Sequence, residues 1–172
     1  MARNFRLWEN AQVISLLNPA ADAAGRTSQY VSLANAHKAF IVATITQGNA
    51  AQVTLTPLQA QDTSGTNSKA LTAAAAIVYN ANVSATDLLT IAAAAASYQT
   101  DAGTNNKVVI FEIDPIESMD LNSGTLNASS VPQPFNHLAI QTSASNVANI
   151  TSALLILTPL RNAGLNPPTA LV

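Results

Sequence analysis

Apolar and polar residues alternate with the two-residue period of β-strands in several stretches of this 172-residue chain. In residues 107–114, Val109, Phe111 and Ile113 fall on one face, and Pro115 stops the pattern. Further strands are predicted at residues 30–33, 38–47, 52–59, 70–80, 137–143 and 149–158. Many short strands separated by turn residues predict an all-β fold, an antiparallel β-sandwich or a jelly-roll-like domain.

The strand at residues 38–47 is apolar on both faces, which predicts that both of its faces are covered. Gln47-Gly48-Asn49 is a turn signal, so residues 38–47 and 52–59 are interpreted as an antiparallel hairpin. Pro57 lacks a backbone N–H, and the second strand should therefore be an edge strand or be bulged there.

Residues 84–97 are ambiguous between helix and strand. Ser84-x-x-Asp87 resembles a helix start, and the leucines and alanines of residues 88–96 have high helix propensity. A lone helix of this length is marginal in water, so packing must decide. On propensity alone, a helix is favoured.

The chain is divided here into an N-terminal arm at residues 1–29, a β-sandwich domain at 30–160 and an extended C-terminal tail at 161–172. Aromatic and proline-rich segments in otherwise unpatterned arms often anchor the arm on its own domain or on a neighbour, and both readings stay open. The candidate partner-binding residues are Phe5, Leu7, Trp8, Pro167, Pro168 and Leu171.

Charge is scarce, with seven Lys or Arg and nine Asp or Glu, or 9% of the chain against roughly 25% in ordinary soluble domains. A net charge of −2 offers no basic surface for nucleic acid. No stretch approaches the ~20 apolar residues that span a bilayer, so we expect no membrane partner. Zero cysteines exclude a disulfide scaffold. Surfaces of Ala, Thr, Ser, Asn and Gln are dehydrated cheaply, which suits a protein that works in an assembly.

Candidate catalytic chemistry is thin. An acidic cluster at residues 112–120 could bind Ca²⁺ or supply the paired carboxylates of a hydrolase, but it lacks EF-hand spacing and is better explained as a solvated strand face and loop. His37 and His137 lie far apart in sequence, and no nucleophile-elbow or phosphate-loop motif is present. We therefore expect no enzymatic activity, no catalytic or metal-binding residue and no cofactor. The four acidic residues are Glu112, Asp114, Glu117 and Asp120.

The sequence resembles a group of small proteins that tailed bacteriophages encode near the major capsid protein. The resemblance covers most of residues 19–158, and it is the order and spacing of its segments that make it specific. The matching segments are Pro19-Ala-Ala-Asp-Ala-Ala-Gly-Arg-Thr27, Tyr30-Val-Ser-Leu33, Gln47-Gly-Asn-Ala-Ala-Gln-Val-Thr-Leu-Thr56, Asp62-Thr-Ser-Gly65, Lys69-Ala-Leu71, Val108-Val-Ile-Phe-Glu-Ile-Asp-Pro115 and Thr142-Ser-Ala-Ser-Asn-Val-Ala-Asn-Ile-Thr-Ser152.

This resemblance implies a structural virion protein, a cement or decoration protein made in the host cytoplasm and bound between capsomers on the capsid exterior. Its implied partners are the major capsid protein and itself, as a homotrimer. It also shifts the expectation for residues 92–96 from helix towards strand or irregular structure. The alternatives are another virion subunit, such as a tail-tube or head-completion protein, or a carbohydrate-binding β-sandwich, for which one Trp and three Tyr are thin support.

Overall fold

The structure is a computed structural model that describes residues 7–121, 133–161 and 169–171. It is nearly all β, and every strand pairing is antiparallel, which confirms the predicted all-β sandwich. The two helices in the described residues are single turns, α1 (Leu7–Asn10) and α2 (Pro115–Ser118). Neither is long enough to cross a membrane.

Two sheets make up the sandwich. The strands are β1 (Gln12–Ala21), β2 (Arg26–Thr27), β3 (Val31–Ser32), β4 (Ala36–Gln47), β5 (Thr54–Ala60), β6 (Lys69–Ala70), β7 (Ala76–Asn80), β8 (Thr90–Ile91), β9 (Tyr98–Gln99), β10 (Asn106–Ile113), β11 (His137–Thr142) and β12 (Asn149–Leu160). Sheet 1 has the order β1-β12-β4-β10-β7-β8. Sheet 2 has the order β2-β11-β5-β6, and in addition β3 pairs with β11 and β9 pairs with β5.

The core lies between the facing sides of the two sheets. Every second residue is buried throughout β10, from Ala39 onward in β4 and up to Leu157 in β12, as the period of a strand requires. Phe111 and Leu155 of sheet 1 belong to one buried cluster with Leu55 and Ile140 of sheet 2, and none of these four side chains is exposed. The alternating apolar residues of the predicted strands therefore form the inner faces of the sandwich.

The predicted hairpin is wrong. Residues 38–47 lie in β4, whose two edges are occupied by β10 and β12, so no edge remains for β5. The chain after Gln47 crosses to sheet 2 instead, where β5 pairs with β11. Local turn chemistry is the same for a turn within a sheet and a crossing between sheets, which explains the error. Pro57 lies between the short strands β6 and β9 that pair with the other edge of β5, as expected of an interrupted edge.

The predicted N-terminal arm also needs correction. Gln12–Ala21 is strand β1, which pairs with β12 at the edge of sheet 1. Its alternation was hidden by a bulge between Ser15 and Leu17, which leaves both Leu16 and Leu17 buried. Arg26–Thr27 pairs with β11 as well. Strand β12 similarly continues through Pro159 to Leu160, past the end predicted at Pro159.

Residues 84–97 contain no helix. Within this segment only Thr90 and Ile91 form a strand, in which Thr90 pairs with Tyr79 and Ile91 with Val78 of β7. The rest is irregular apart from a bridge between Ala75 and Ala95. The shift towards strand or irregular structure is confirmed. Only Ala92 and Ala95 of this segment pack against the core while its leucines are exposed, which is too little packing to support a short helix.

Candidate interaction surfaces

The outward-facing side of sheet 1, called here the outer face, carries apolar side chains in register across the sheet. Its middle row crosses all six strands at positions that face away from the core, and eight of the eleven residues in this row and the next are Val, Ile, Leu or Phe. The middle row is Ser15, Leu154, Val42, Ile110, Val78 and Ile91. The next row is Val13, Ile156, Phe40, Glu112 and Ala76.

Several of these side chains are open to solvent. Val13 is 50% exposed, Leu154 is 45% exposed, and Ile91, at the end of the middle row, is 83% exposed. The outward side of a sandwich sheet is normally polar, because alternation places apolar residues inward. An apolar row across six strands marks a surface made to be covered.

Glu112 is the one charged residue in these two rows. Lys38 of β4 and Glu112 of β10 form a salt bridge, and Glu112 raises the pKa of Lys38 by hydrogen bonding and charge. On the other side of the middle row the face turns polar, where Thr44 and Ser152 share a hydrogen bond of 2.7 Å between their hydroxyl oxygens. The outer face thus has an apolar centre and a polar border, and the one charged residue of its two rows is paired within the chain.

A second apolar surface adjoins the first at the edge of sheet 1. Residues 83–94, called here the edge segment, present Leu88, Leu89 and Ile91, with exposed fractions of 73%, 52% and 83%. Its single charged residue is Asp87. Natural proteins usually protect sheet edges with charges, prolines or bulges, whereas here the edge strand β8 is flanked by exposed leucines and alanines.

The predicted partner-binding residues are placed in part. Leu7 is exposed in α1, whose end is fixed to β12 by a hydrogen bond from the Thr158 hydroxyl to the Asn10 carbonyl oxygen. In the tail, the buried Ala170 accepts a hydrogen bond from the Ser32 N–H at 2.8 Å, so the tail docks on its own domain there while Leu171 is half exposed. Phe5, Pro167, Pro168 and the side chain of Trp8 lie outside the described residues.

A buried aspartate in the predicted N-terminal arm joins the two sheets. The carboxylate of Asp22 is fully buried and accepts hydrogen bonds from the hydroxyls of Thr142 in β11 and Thr151 in β12. Arg26 pairs with the same carboxylate at 3.2 Å and donates to the Thr151 carbonyl oxygen. Its hydrogen bonds give this cluster a structural role at one end of the sandwich.

The acidic cluster is dispersed by the fold. Glu112 pairs with Lys38, Asp120 pairs with Lys69 at 2.8 Å, and Asp114 caps α2 by accepting from the Ile116 N–H. In the part of the chain that the structure describes, no three His, Asp or Glu side chains lie close enough together to hold a metal ion.

His137, Tyr79 and Tyr98 are partly buried in the sandwich. Burial lowers the pKa of His137, a half-buried residue of β11, while His37 is exposed on β4. Tyr79 and Tyr98 pack on each other with ring centroids 5.1 Å apart and lie against the core, so they do not form the flat exposed platform that a carbohydrate module uses. Burial, with Tyr79 and Asp101 nearby, raises the pKa of Tyr98 to about 12.

Comparison with known proteins gives little. No protein-family model matches the sequence, and no curated protein matches it. Among solved structures, the chain is similar to the SPBc2 prophage-derived protein YomS, with 8% identity and a TM-score of 0.46 over 87% of this chain and 94% of that one. A likeness at this level carries no argument about function.

Proposed function

We propose that this protein is a cement protein of a tailed-phage head, a structural subunit without enzymatic activity. It would bind the capsid exterior between capsomers as a homotrimer, with the major capsid protein as its partner. The sequence resemblance motivates the proposal. The observation that carries it is the edge segment, an exposed apolar edge of sheet 1 with one charged residue in twelve.

The edge segment suits attachment to a protein lattice. An open strand edge can add backbone hydrogen bonds to an extended segment of a neighbour, and Leu88 and Leu89 would bury apolar area beside it. Because Asp87 is the one full charge there, dehydrating this surface costs little. Several copies bound together would multiply a weak single contact, and binding only the intact shell would stabilise it.

The test is binding to tailed-phage heads that lack the protein. We expect the purified protein to co-sediment with the heads and to raise the temperature at which they rupture. The double variant Leu88→Ser/Leu89→Ser should lose binding, whereas Ile116→Ser, at an equally exposed apolar position on α2, should keep it. Absence of binding by the unaltered protein at micromolar concentration would refute the proposal.

A further inference from the structure

We propose that the outer face of sheet 1 is covered by the outer face of another copy of this chain. The edge segment proposed to meet the capsid adjoins this face and shares Ile91 with it, but the inference does not depend on head binding. It rests on three properties of the face, which are its composition, its charge and its size.

The composition of the outer face is that of an obligate self-interface. Surfaces that meet foreign partners transiently are about as apolar as the rest of a protein surface, whereas homodimer interfaces resemble a domain core cut in half. In the middle row, five of six residues are Val, Ile or Leu, with Ser15 as the exception. The hydroxyls of Thr44 and Ser152 form the polar border that typically rims such a core.

The charged residue of the two rows is paired with an opposite charge from the same copy. Lys38 and Glu112 bind each other across neighbouring strands, so neither needs an opposite charge from a partner. A foreign partner would find little on this face to recognise by charge, since electrostatic complementarity is what selects one partner over another. When two identical faces meet, by contrast, neither brings an unpaired charge against a like charge on the other.

The size of the face is close to what a stable contact between copies needs. With strands about 4.8 Å apart and residue rows about 6.7 Å apart, the eleven residues of the two rows cover on the order of 350 Å², and the polar border and the Lys38–Glu112 pair extend the flat face to roughly 500 Å². A standard interface buries roughly 800 Å² on each partner, counted on the more rugged accessible surface. Two such faces can pack flat on each other, so the inference predicts a pair of copies, and a trimer on the capsid would need other contacts.

The first experiment compares the mass in solution of three proteins by sedimentation and native mass spectrometry. The unaltered chain should assemble at micromolar concentration. Leu154→Lys, which places an ammonium in the middle row at a solvent-accessible position, should be monomeric with an unchanged circular dichroism spectrum. Val147→Lys, in the exposed turn between the sheets, should assemble like the unaltered chain.

A second measurement does not rely on a substitution that dissociates the copies. Because the chain has no cysteine, a single thiol introduced as Leu154→Cys or Val147→Cys reports its own accessibility to a maleimide. The thiol at position 154 should react several-fold more slowly in concentrated than in dilute protein, and the thiol at position 147 at the same rate in both.

A monomeric unaltered chain, an assembled Leu154→Lys variant or a reaction at position 154 that is independent of concentration would overturn the inference. A protein that binds heads as a monomer would refute this inference and the trimer of the proposed function, and would leave the cement role standing. If Leu154→Lys dissociates the assembly but the unaltered protein never binds heads, this inference stands and the proposed function is refuted.

Discussion

The Asp22 carboxylate accepts a 3.0 Å hydrogen bond from the Thr142 hydroxyl, although 120 positions separate the two residues in sequence. The same carboxylate is bound by Thr151 of the other sheet, so one buried charge connects both layers of the sandwich. The cluster is completed by Arg26, which also donates to backbone carbonyl oxygens of Asn18 and Ala20.

Replacing Asp22 with Ala should lower the free energy of unfolding by about 3 kcal/mol, because it removes the charge partner of Arg26 and leaves two buried hydroxyls without their acceptor. Urea denaturation measures this loss. Asp87→Ala, in the exposed edge segment, is the matched control and should stay within about 0.5 kcal/mol of the unaltered chain. Equal effects of the two substitutions would show that the Asp22 cluster does not join the sheets.

The ion pair of Asp101 and Lys107 should make stability fall in acid. Lys107 Nζ lies 2.6 Å from Asp101 Oδ1, and the hydrogen bond from Lys107 lowers the pKa of Asp101 below its ordinary value. Because the folded-state pKa is lower, the contribution is present above the ordinary value and is lost as pH falls through the folded-state pKa.

Asp101→Asn should therefore be less stable than the unaltered chain at neutral pH, and the difference should shrink as the pH falls towards 2. Urea denaturation at a series of pH values measures this. The double variant Asp101→Asn/Lys107→Met should recover stability, since it removes the buried ammonium as well. A difference that is constant over the pH range would contradict the assignment.

Tyr98 should make stability fall in alkali. Its pKa of about 12 in the folded protein exceeds its ordinary value of 10.0, chiefly because burial disfavours the phenolate. Its contribution is complete below the ordinary value and is lost as pH rises through the folded-state pKa, a window between 10.0 and about 12. Tyr98→Phe should lose less stability across that window in thermal denaturation, and Tyr30→Phe serves as the comparison. Identical alkaline profiles for Tyr98→Phe and the unaltered chain would count against this.

The turn at Gly65 should not tolerate a side chain. Gly65 has a φ of +81°, and a Cβ there would lie 2.5 Å from Tyr30 Cε2. Gly65→Ala should destabilise the protein by about 1–2 kcal/mol from the backbone conformation alone. Ser64→Ala, in the same turn, should change the free energy of unfolding by less than about 0.5 kcal/mol, because the bond of Ser64 to Asp62 comes from its backbone N–H. A harmless Gly65→Ala would contradict the described turn.

The sequence predicts the strands well where one face is buried and strand length is sufficient. Residues 107–114 alternate strictly and form β10, because burying Val109 and Phe111 on one side forces that period. Residues 38–47, apolar on both faces, form β4, whose inner side lies in the core and whose outer side is part of the outer face. The expectation that both sides are covered was the one sequence signal for that face.

Contacts and strand pairings between segments that lie far apart in the sequence could not be predicted. Asp22 could not be recognised as a buried residue because Thr142 and Thr151 lie more than a hundred positions away, and no local pattern encodes a carboxylate that will be buried. The pairing of β4 with β12 rather than with β5 has the same cause, since a turn signal does not say whether the next strand stays in the sheet.

Strand β12 lies between β1 and β4. During synthesis on the ribosome, β1 and β4 therefore emerge long before the strand that separates and joins them. Sheet 1 cannot close until residue 160 has left the exit tunnel, so its interior stays open to water until β12 emerges. We expect a nascent chain stalled before β12 to depend on chaperones.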